Sequence, residues 1–463
     1  GDELPLLNQT SAGVASGRVT PDGRPLLWKN RDRGGNEPME FRYWDQGPIP
    51  FIGYTSNNNL LECYGGINLA GFGVANTDGH NFNNHGPHND GRVMWDALSK
   101  CRTIDDFEAL LDSADQVDDN GRYGYNYLVI DAFGGAAVIE AGPFGHTRFD
   151  CDDNPDGFLV RANFAFTGNM LNLSDGTNGI HRYNRSYRKF KRAAEEGNLT
   201  AQYILQQVAR DLSSIDIDPY PLPFRGYYQD FPYGSVPNWA SVNRSTTSAT
   251  HVIQGVRPGE RPDNAIIWAM IGSPLAGIAT PLWVRAGGVP VEYDGPVGSR
   301  LNQRIIALRN WVYNNWGAVD TWKLVNPEGK GLWDYILPLE DFIITKTYRF
   351  INSPTFSYDR LRLFQNEMAQ QIADSLDRWR PSFNVTELAT PIYRESRLIL
   401  RWGRIQYPQG FIAQEPRGYW VYRCEHPFRE GSRPRPLAFV ETTEFIDEDP
   451  PAQGAYYQVE AVF

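Results

Sequence analysis

The sequence predicts a layered α+β fold with a small β-sandwich at its C-terminal end. Three observations lead there. Strands and helices come in runs rather than in regular β–α–β alternation, which argues against a doubly wound parallel sheet. Hydrophobic residues make up 41% of the 463 residues and aromatics 13%, enough for a large packed core and too much for disorder. From Leu388 onward the pattern becomes short strands at even spacing, separated by turn residues. A chain of this length exceeds one average domain. The expected division is a main domain over 1–380 and a β-sandwich over 381–463.

Taken in order, the first informative stretch is Asn8 to Asp32, NQTSAGVASGRVTPDGRPLLWKNRD. It reads as two strands, Val14 to Thr20 and Pro25 to Lys29. They are hinged at Pro21-Asp22-Gly23, where Pro presets φ and Gly accepts a positive one. A tight hairpin lays the hydroxyls of Thr10-Ser11 beside Asn30-Arg31-Asp32, a nucleophile next to charged orienting groups. A plain surface hairpin has the same pattern. Met39 to Tyr43, Ile49 to Tyr54 and Leu60 to Tyr64 read as further strands, and glycines punctuate a strand-turn-strand unit over 65–82 with Gly71 to Ala75 as its second strand. Helical spacing follows over Val93 to Cys101 and Ile104 to Ser113, with Thr103 and Asp106 placed as a capping box. Tyr127 to Asp131 and Ala136 to Ala141 form a hairpin around Gly134-Gly135, and Phe158 to Phe164 is another strand.

Tyr183 to Glu196 is a basic helix. Ala201 to Leu212 is a second, with Thr200 as N-cap. A Pro- and Tyr-rich loop over 219–239 has the length of a lid and the composition of an apolar pocket wall. Strands resume at Ser248 to Val256, Ala265 to Met270 and Pro281 to Arg285. Leu301 to Trp316 and Tyr358 to Trp379 are periodic helices, part of a helical extension over 301–380. In the tail, Leu398 to Arg404, Gly418 to Cys424, Leu437 to Thr442 and Ala455 to Ala461 are strands.

Charge narrows the function classes. The net charge is −11, from 44 basic and 55 acidic residues, without a dense Lys/Arg stripe. That excludes a nucleic-acid binder, which needs a basic face. No run of about 18 apolar residues offers a transmembrane helix. The chain starts at Gly1, which fits a removed signal peptide or a tag scar. With its wealth of Trp, Tyr, Asn and Gly, a secreted or periplasmic protein is expected. Cys63, Cys101, Cys151 and Cys424 are too widely spaced for a CxxC motif. DGHNFNNHGPHND holds Asp78, His80, His85, His88 and Asp90, but its spacing matches no metal motif, and it reads as a polar loop over a site mouth. The acidic run Asp150 to Gly157 lacks the Glu that closes an EF-hand loop and reads as a turn. No cofactor motif is present.

Four segments in order resemble a known family. TPDGRPLLWKNRD is similar to the opening hairpin of N-terminal-nucleophile hydrolases, in the branch of choloylglycine hydrolase, penicillin V acylase and isopenicillin N acyltransferase. GGINLAGFGVAN resembles that branch's Gly-x-Asn-x-x-Gly strand pair. NYLVIDAFGGAAVIEAGP resembles its central hairpin, and LVRANFAFTG its Asn-bearing strand. The resemblance spans roughly residues 8 to 290 and implies a four-layer αββα sandwich. The tail segments LILRWG, GYWVYR, FVETTEFIDEDPP and AYYQVEAV look like a fibronectin type III-like module.

The resemblance implies hydrolysis of a linear amide through an acyl-enzyme, on an N-acyl amino acid, penicillin V-like or bile-salt-like conjugate. The partner is then a small molecule; a homo-oligomer is left open. Thr10 falls on the nucleophile position, where the family has Cys. There the residue's own α-amine serves as base, so Thr10 would have to be N-terminal. Lys29 stands where the family has Arg and loses that residue's bidentate fork. Asp32 matches the residue that binds the α-ammonium. Asn76, with Asp78 as the alternative alignment, and Asn163 match oxyanion or substrate-binding positions. Arg182 matches an Arg for which Arg185 and Arg188 are rivals. A non-catalytic binding protein, or a dipeptidase of a neighbouring branch, fits the same fold.

Overall fold

The computed structural model describes residues 9–56, 59–83, 86–115, 122–295, 298–327, 329–380, 383–384, 388–403, 416–428 and 434–462. The chain divides into two compact units. The first is Gly1–Asp218, Pro237–Arg309 and Ile336–Ala373; the second is Pro219–Val236, Asn310–Tyr335 and Asp374–Phe463.

The strands of the first unit begin with β1 (Gln9–Ala15), β2 (Leu26–Asp32), β3 (Met39–Trp44), β4 (Phe51–Ser56) and β5 (Gly65–Asn68). They continue as β6 (Gly73–Asp78), β7 (Tyr125–Ile130), β8 (Ala136–Gly142), β9 (Gly145–Asp150) and β10 (Phe158–Arg161). After β11 (Ser235–Val236), which belongs to the second unit, come β12 (Thr247–Gln254), β13 (Ile266–Ile271) and β14 (Thr280–Leu282). They form two antiparallel sheets, one ordered β10-β1-β2-β12-β13-β14 and one ordered β3 through β9 in sequence.

The sheets face each other, with β1 and β2 against β6. Helices α1 (Asp90–Lys100) and α2 (Ile104–Asp115) cover the outer face of the seven-stranded sheet. Met94, Leu98, Phe107 and Leu111 pack there on Val74, Tyr127, Val129 and Ile139. The Thr103 capping box forms: Asp106 N–H donates to Thr103 Oγ1 at 3.1 Å, and Thr103 N–H donates to Asp106 Oδ2 at 3.0 Å. After α3 (Asp175–Asn178), α4 (Ile180–Glu195) covers the other sheet through Phe190, which packs on Trp28 and Phe158. The small-residue character of β1 has its reason here. A Cβ on Gly13 would lie 2.7 Å from Phe190 Cζ. The layer order is therefore αββα, as the resemblance implied.

Several elements differ from expectation. β1 starts at Gln9 and stops at Ala15, because Ser16 caps a short 3-10 turn over Gly17–Val19. The predicted strand over Leu60 to Tyr64 does not form, while the strand-turn-strand unit expected over 65–82 does, as β5 and β6. Apolarity misled here, since Leu60 and Leu61 are exposed. The glycines are needed because a Cβ on Gly66 would collide with the Ile52 carbonyl oxygen. The second predicted helix is α5 (Ala201–Tyr203), which runs on as a π-helical turn over Ile204–Val208. Thr200 caps it as expected. Beyond α6 (Arg300–Val312) and α7 (Thr321–Leu324), a 20-residue helix α8 (Leu332–Ile351) carries Pro338 inside it and escaped the sequence reading; α9 (Leu361–Arg378) follows.

In the second unit β11 pairs with β15 (Val319–Asp320). The tail forms β16 (Phe383–Asn384), β17 (Ile392–Arg394), β18 (Arg397–Arg401), β19 (Gly418–Cys424), β20 (Ala438–Val440), β21 (Glu444–Asp447) and β22 (Tyr456–Val462). Two sheets result, β16-β22-β19-β20 and β17-β18-β21. They share a core of Leu398, Leu400, Trp402, Tyr419, Val421, Val459 and Ala461, which makes a small β-sandwich. Among the described residues no helix is long and apolar enough to cross a membrane.

Candidate functional site

The β1–β2 register assembles the site. Gln9 pairs with Asp32, Thr10 with Arg31, Ser11 with Asn30 and Ala12 with Lys29. Side chains alternate between faces along a strand. Gln9, Ser11, Asn30 and Asp32 therefore share the face of Gly13 and Trp28, toward α4. Thr10, Lys29 and Arg31 share the opposite face, between the sheets. A cavity of about 260 Å³ opens at this end of the hairpin, lined by Gln9, Thr10, Lys29, Arg31, Asp32 and Asn76. Glu62, Tyr64, Asp78, His88 and Asp90 complete a strongly polar wall.

Thr10 is held by its backbone. Its N–H donates to Asn163 Oδ1 at 2.8 Å, and its carbonyl accepts from Arg182 Nη1 at 2.6 Å. Arg182 also donates to Ser11 Oγ at 2.9 Å, to Gln9 Oε1 at 3.2 Å and to Asn163 Oδ1 at 2.9 Å. One buried guanidinium thus ties the start of β1 to the Asn163 segment. Burial and then Arg244 pull Arg182 down to about 9, against Asp32 and Asp175. Asn163 and Arg182 do not line the cavity; they stand behind Thr10 and fix it. Among the described residues Thr10 Oγ1 has no hydrogen-bond partner, so the hydroxyl is free to meet a substrate. Arg185 pairs instead with Asp211, at 2.6 Å.

Lys29 Nζ donates to the Tyr64 carbonyl at 2.8 Å and to Asn76 Oδ1 at 2.7 Å. Asn76 Nδ2 in turn donates to Asp90 Oδ2 at 2.9 Å. Burial drives Lys29 down to about 7; Arg31 lowers it further, while Asp90, Asp78 and Cys63 oppose. Arg31 keeps its charge despite burial, because Glu37 pairs with it. It also lies over the Tyr64 ring at 4.2 Å.

Asp32 sits on the other face of β2 from Lys29. Thr247 Oγ1 donates to Asp32 Oδ1 at 2.6 Å, and Arg182 Nη1 lies 3.9 Å from Oδ2. Burial raises the Asp32 carboxyl above its usual range, against Arg244 and Arg182. Arg244 is a buried residue that the sequence reading missed. Among the described residues its Nε and Nη1 have no hydrogen-bond partner. No motif marked it, and only the fold brings it to Asp32. Arg31, which the hairpin places among the charged groups beside Thr10-Ser11, lies on the face of Lys29, as period-2 alternation in Lys29-Asn30-Arg31 requires.

The His-rich segment spreads out. His80 Nε2 lies 3.6 Å from Asp78 Oδ2, and His88 Nδ1 lies 3.0 Å from Tyr125 Oη. His88 and Asp90 line the cavity, as a polar loop over a site mouth would. His85 lies outside the described residues. Among the described residues no group of His, Cys, Asp or Glu could hold a metal ion. The acidic run at Asp150 closes as a turn, with Gly157 N–H donating to the Asn154 carbonyl at 2.9 Å. The aromatic loop over 219–239 contributes no residue to the cavity wall.

No family model matches this sequence, and no curated protein matches it. Solved structures do show a likeness. A variant of the conjugated bile acid hydrolase of Clostridium perfringens is 12% identical, over 59% of this chain and 92% of its own, with a TM-score of 0.36. The penicillin V acylase of Agrobacterium tumefaciens is 13% identical over 59% of this chain and 86% of its own, with a TM-score of 0.37. A thermostable penicillin G acylase of Alcaligenes faecalis is 10% identical over 44% of this chain and 53% of its own, with a TM-score of 0.32.

Proposed function

We propose that the chain hydrolyses a linear carbon–nitrogen amide bond through an acyl ester on Thr10. One observation carries the reading. The Thr10 hydroxyl is unengaged in a polar cavity, while its own backbone is clamped by Asn163 and Arg182. A free hydroxyl on a fixed backbone is what nucleophilic catalysis requires. Arg31, opposite Thr10, and the second N–H of Asn76 Nδ2 are the groups that would meet the oxyanion. The small polar cavity, with Glu62, Asp78 and Asp90 on its wall, favours an N-acyl amino acid or acyl amine over a bulky sterol conjugate. A dipeptide would use the same acidic wall for its ammonium group.

The test is a panel of N-acyl amino acids, acyl amines and dipeptides, with released amine measured. Thr10→Ala should abolish turnover. Full activity in that variant would remove Thr10 as nucleophile. A second reading, a binding protein without turnover, is favoured by one observation: Gln9 is built into β1, so Thr10 lacks a free amine. Saturable binding of a panel member without amine release would support it.

A further inference from the structure

Resting on the amide-hydrolase reading, we infer that Lys29 is the general base for the Thr10 hydroxyl, so that attack needs no free α-amine. The reason begins at Gln9. It pairs with Asp32 in the sheet, donates from Nε2 to the Gly176 carbonyl at 2.6 Å and accepts from Arg182. Position 9 is part of the cavity wall. The Thr10 nitrogen is therefore an amide, and its N–H is spent on Asn163 Oδ1. An amide nitrogen delocalises its lone pair into the carbonyl and takes no proton at neutral pH.

Another base must reach Thr10 Oγ1. Asp32 borders the cavity from the α4-side face and is taken up by Thr247 and Arg182. Asp90 accepts from Asn76. Lys29 lies on the Thr10 face, diagonal to the Thr10–Arg31 pair, and diagonal neighbours lie within reach of a long side chain. Its two hydrogen bonds both run to acceptors, the Tyr64 carbonyl and Asn76 Oδ1. A neutral amine has two N–H bonds and one lone pair. With both N–H groups used, the remaining tetrahedral position of Nζ carries the lone pair, and Lys29 borders the same cavity as Thr10.

The surroundings favour the neutral form. Arg31 flanks Lys29 on β2, and His251 stands opposite it on β12. Burial, with Lys29 second, pushes His251 down to about 3, so it adds no charge. The Tyr54 ring on β4 lies 5.9 Å away. Cys63, before β5, is a buried thiol that burial pushes up to about 12. Asp78 on β6 and Asp90 on α1 pull the other way, yet burial leaves Lys29 near 7.

In the step itself, the Thr10 Oγ1 proton passes to Lys29 Nζ as the oxygen bonds to the amide carbonyl carbon and the π pair moves to the carbonyl oxygen. Collapse breaks the carbon–nitrogen bond, and the leaving amine takes the proton from Nζ. Water then loses a proton to Nζ and adds to the Thr10 ester. Collapse releases the carboxylic acid, and Nζ returns the proton to Thr10.

The experiment uses p-nitrophenyl acetate as acyl donor, with intact mass and peptide mapping to locate the acetyl group. Two proteins are compared: the full chain, and a version made to begin at Thr10. The full chain should be acetylated at Thr10, with a rate that climbs through a limb near pH 7. Lys29→Met and Lys29→Arg should each lower the rate about a hundredfold or more. Arg keeps the charge but cannot act as a base, so rescue by Arg would overturn the inference. Acetylation only of the chain beginning at Thr10 would overturn Lys29 as base while leaving the hydrolase reading standing. No acetylation of either protein would overturn both. If Lys29→Met fails to fold, the wild-type pH limb and the Arg variant decide.

Discussion

Lys29 also gives a stability prediction that needs no substrate. The side chain is buried, and burial holds its folded-state value at about 7 against 10.5 for the free group. Between those two values the unfolded chain binds more protons than the folded one. Unfolding free energy therefore rises with pH across that window. The gap is about 3.5 units, so the full span is about 5 kcal/mol at 1.36 kcal/mol per unit. Between pH 6 and pH 9 the single-site expression gives a gain of about 3 kcal/mol. Other titrating groups contribute to the raw curve, so the comparison is with Lys29→Met. Urea unfolding followed by tryptophan fluorescence at both pH values gives the two differences. Wild type should gain about 3 kcal/mol on the variant from pH 6 to pH 9. A pH-independent difference would mean that Lys29 stays a cation throughout, and the neutral-amine chemistry would fall with it.

Two further outcomes follow from contacts near the site. Arg182→Met should strip the partners from the Thr10 carbonyl, Ser11 Oγ and Asn163 Oδ1 and leave Asp32 less compensated, at about 3–5 kcal/mol by thermal or chemical unfolding; an effect under about 1 kcal/mol would show that the cluster does not hold β1. Gly66→Ala should displace β4 from β5, because its Cβ meets the Ile52 carbonyl oxygen, which is backbone; a loss of about 2 kcal/mol or more is expected, and a neutral effect in unfolding would contradict the close approach.

The layered α+β class was legible because strands and helices come in runs without β–α–β alternation, whereas the αββα order came only with the resemblance. Gly13 sits in an otherwise ordinary strand and makes sense only against Phe190. The capping box at Thr103 is a purely local device, so the sequence alone located it. The strand expected over Leu60 to Tyr64 fails for the opposite reason. The apolar Leu60 and Leu61 are exposed, and the pairing with β4 rests on the close approach of Gly66. The helix over Leu332–Ile351 was lost because Pro338 reads as a breaker, though tertiary packing carries the chain through it.

The site divides along the same line between local and distant. Thr10, Lys29 and Asp32 lie on one hairpin, and period-2 alternation fixes which of them can meet. It separates Lys29 from Asp32 and puts Arg31 with Thr10, a consequence readable from sequence once the hairpin register is known. Asn163, in the segment after β10, and Arg182, on α4, reach β1 from far along the chain, while Arg244, ahead of β12, acts on Asp32 of β2. Their roles are set by burial, not by spacing. Arg182 spends its donors on the backbone and side chains of residues 9–11 and so anchors Gln9 as well as Thr10. The same guanidinium that positions the hydroxyl thus also holds the residue that denies it a free amine. That coupling is why the proposed chemistry turns on the choice of base, and with it on Lys29.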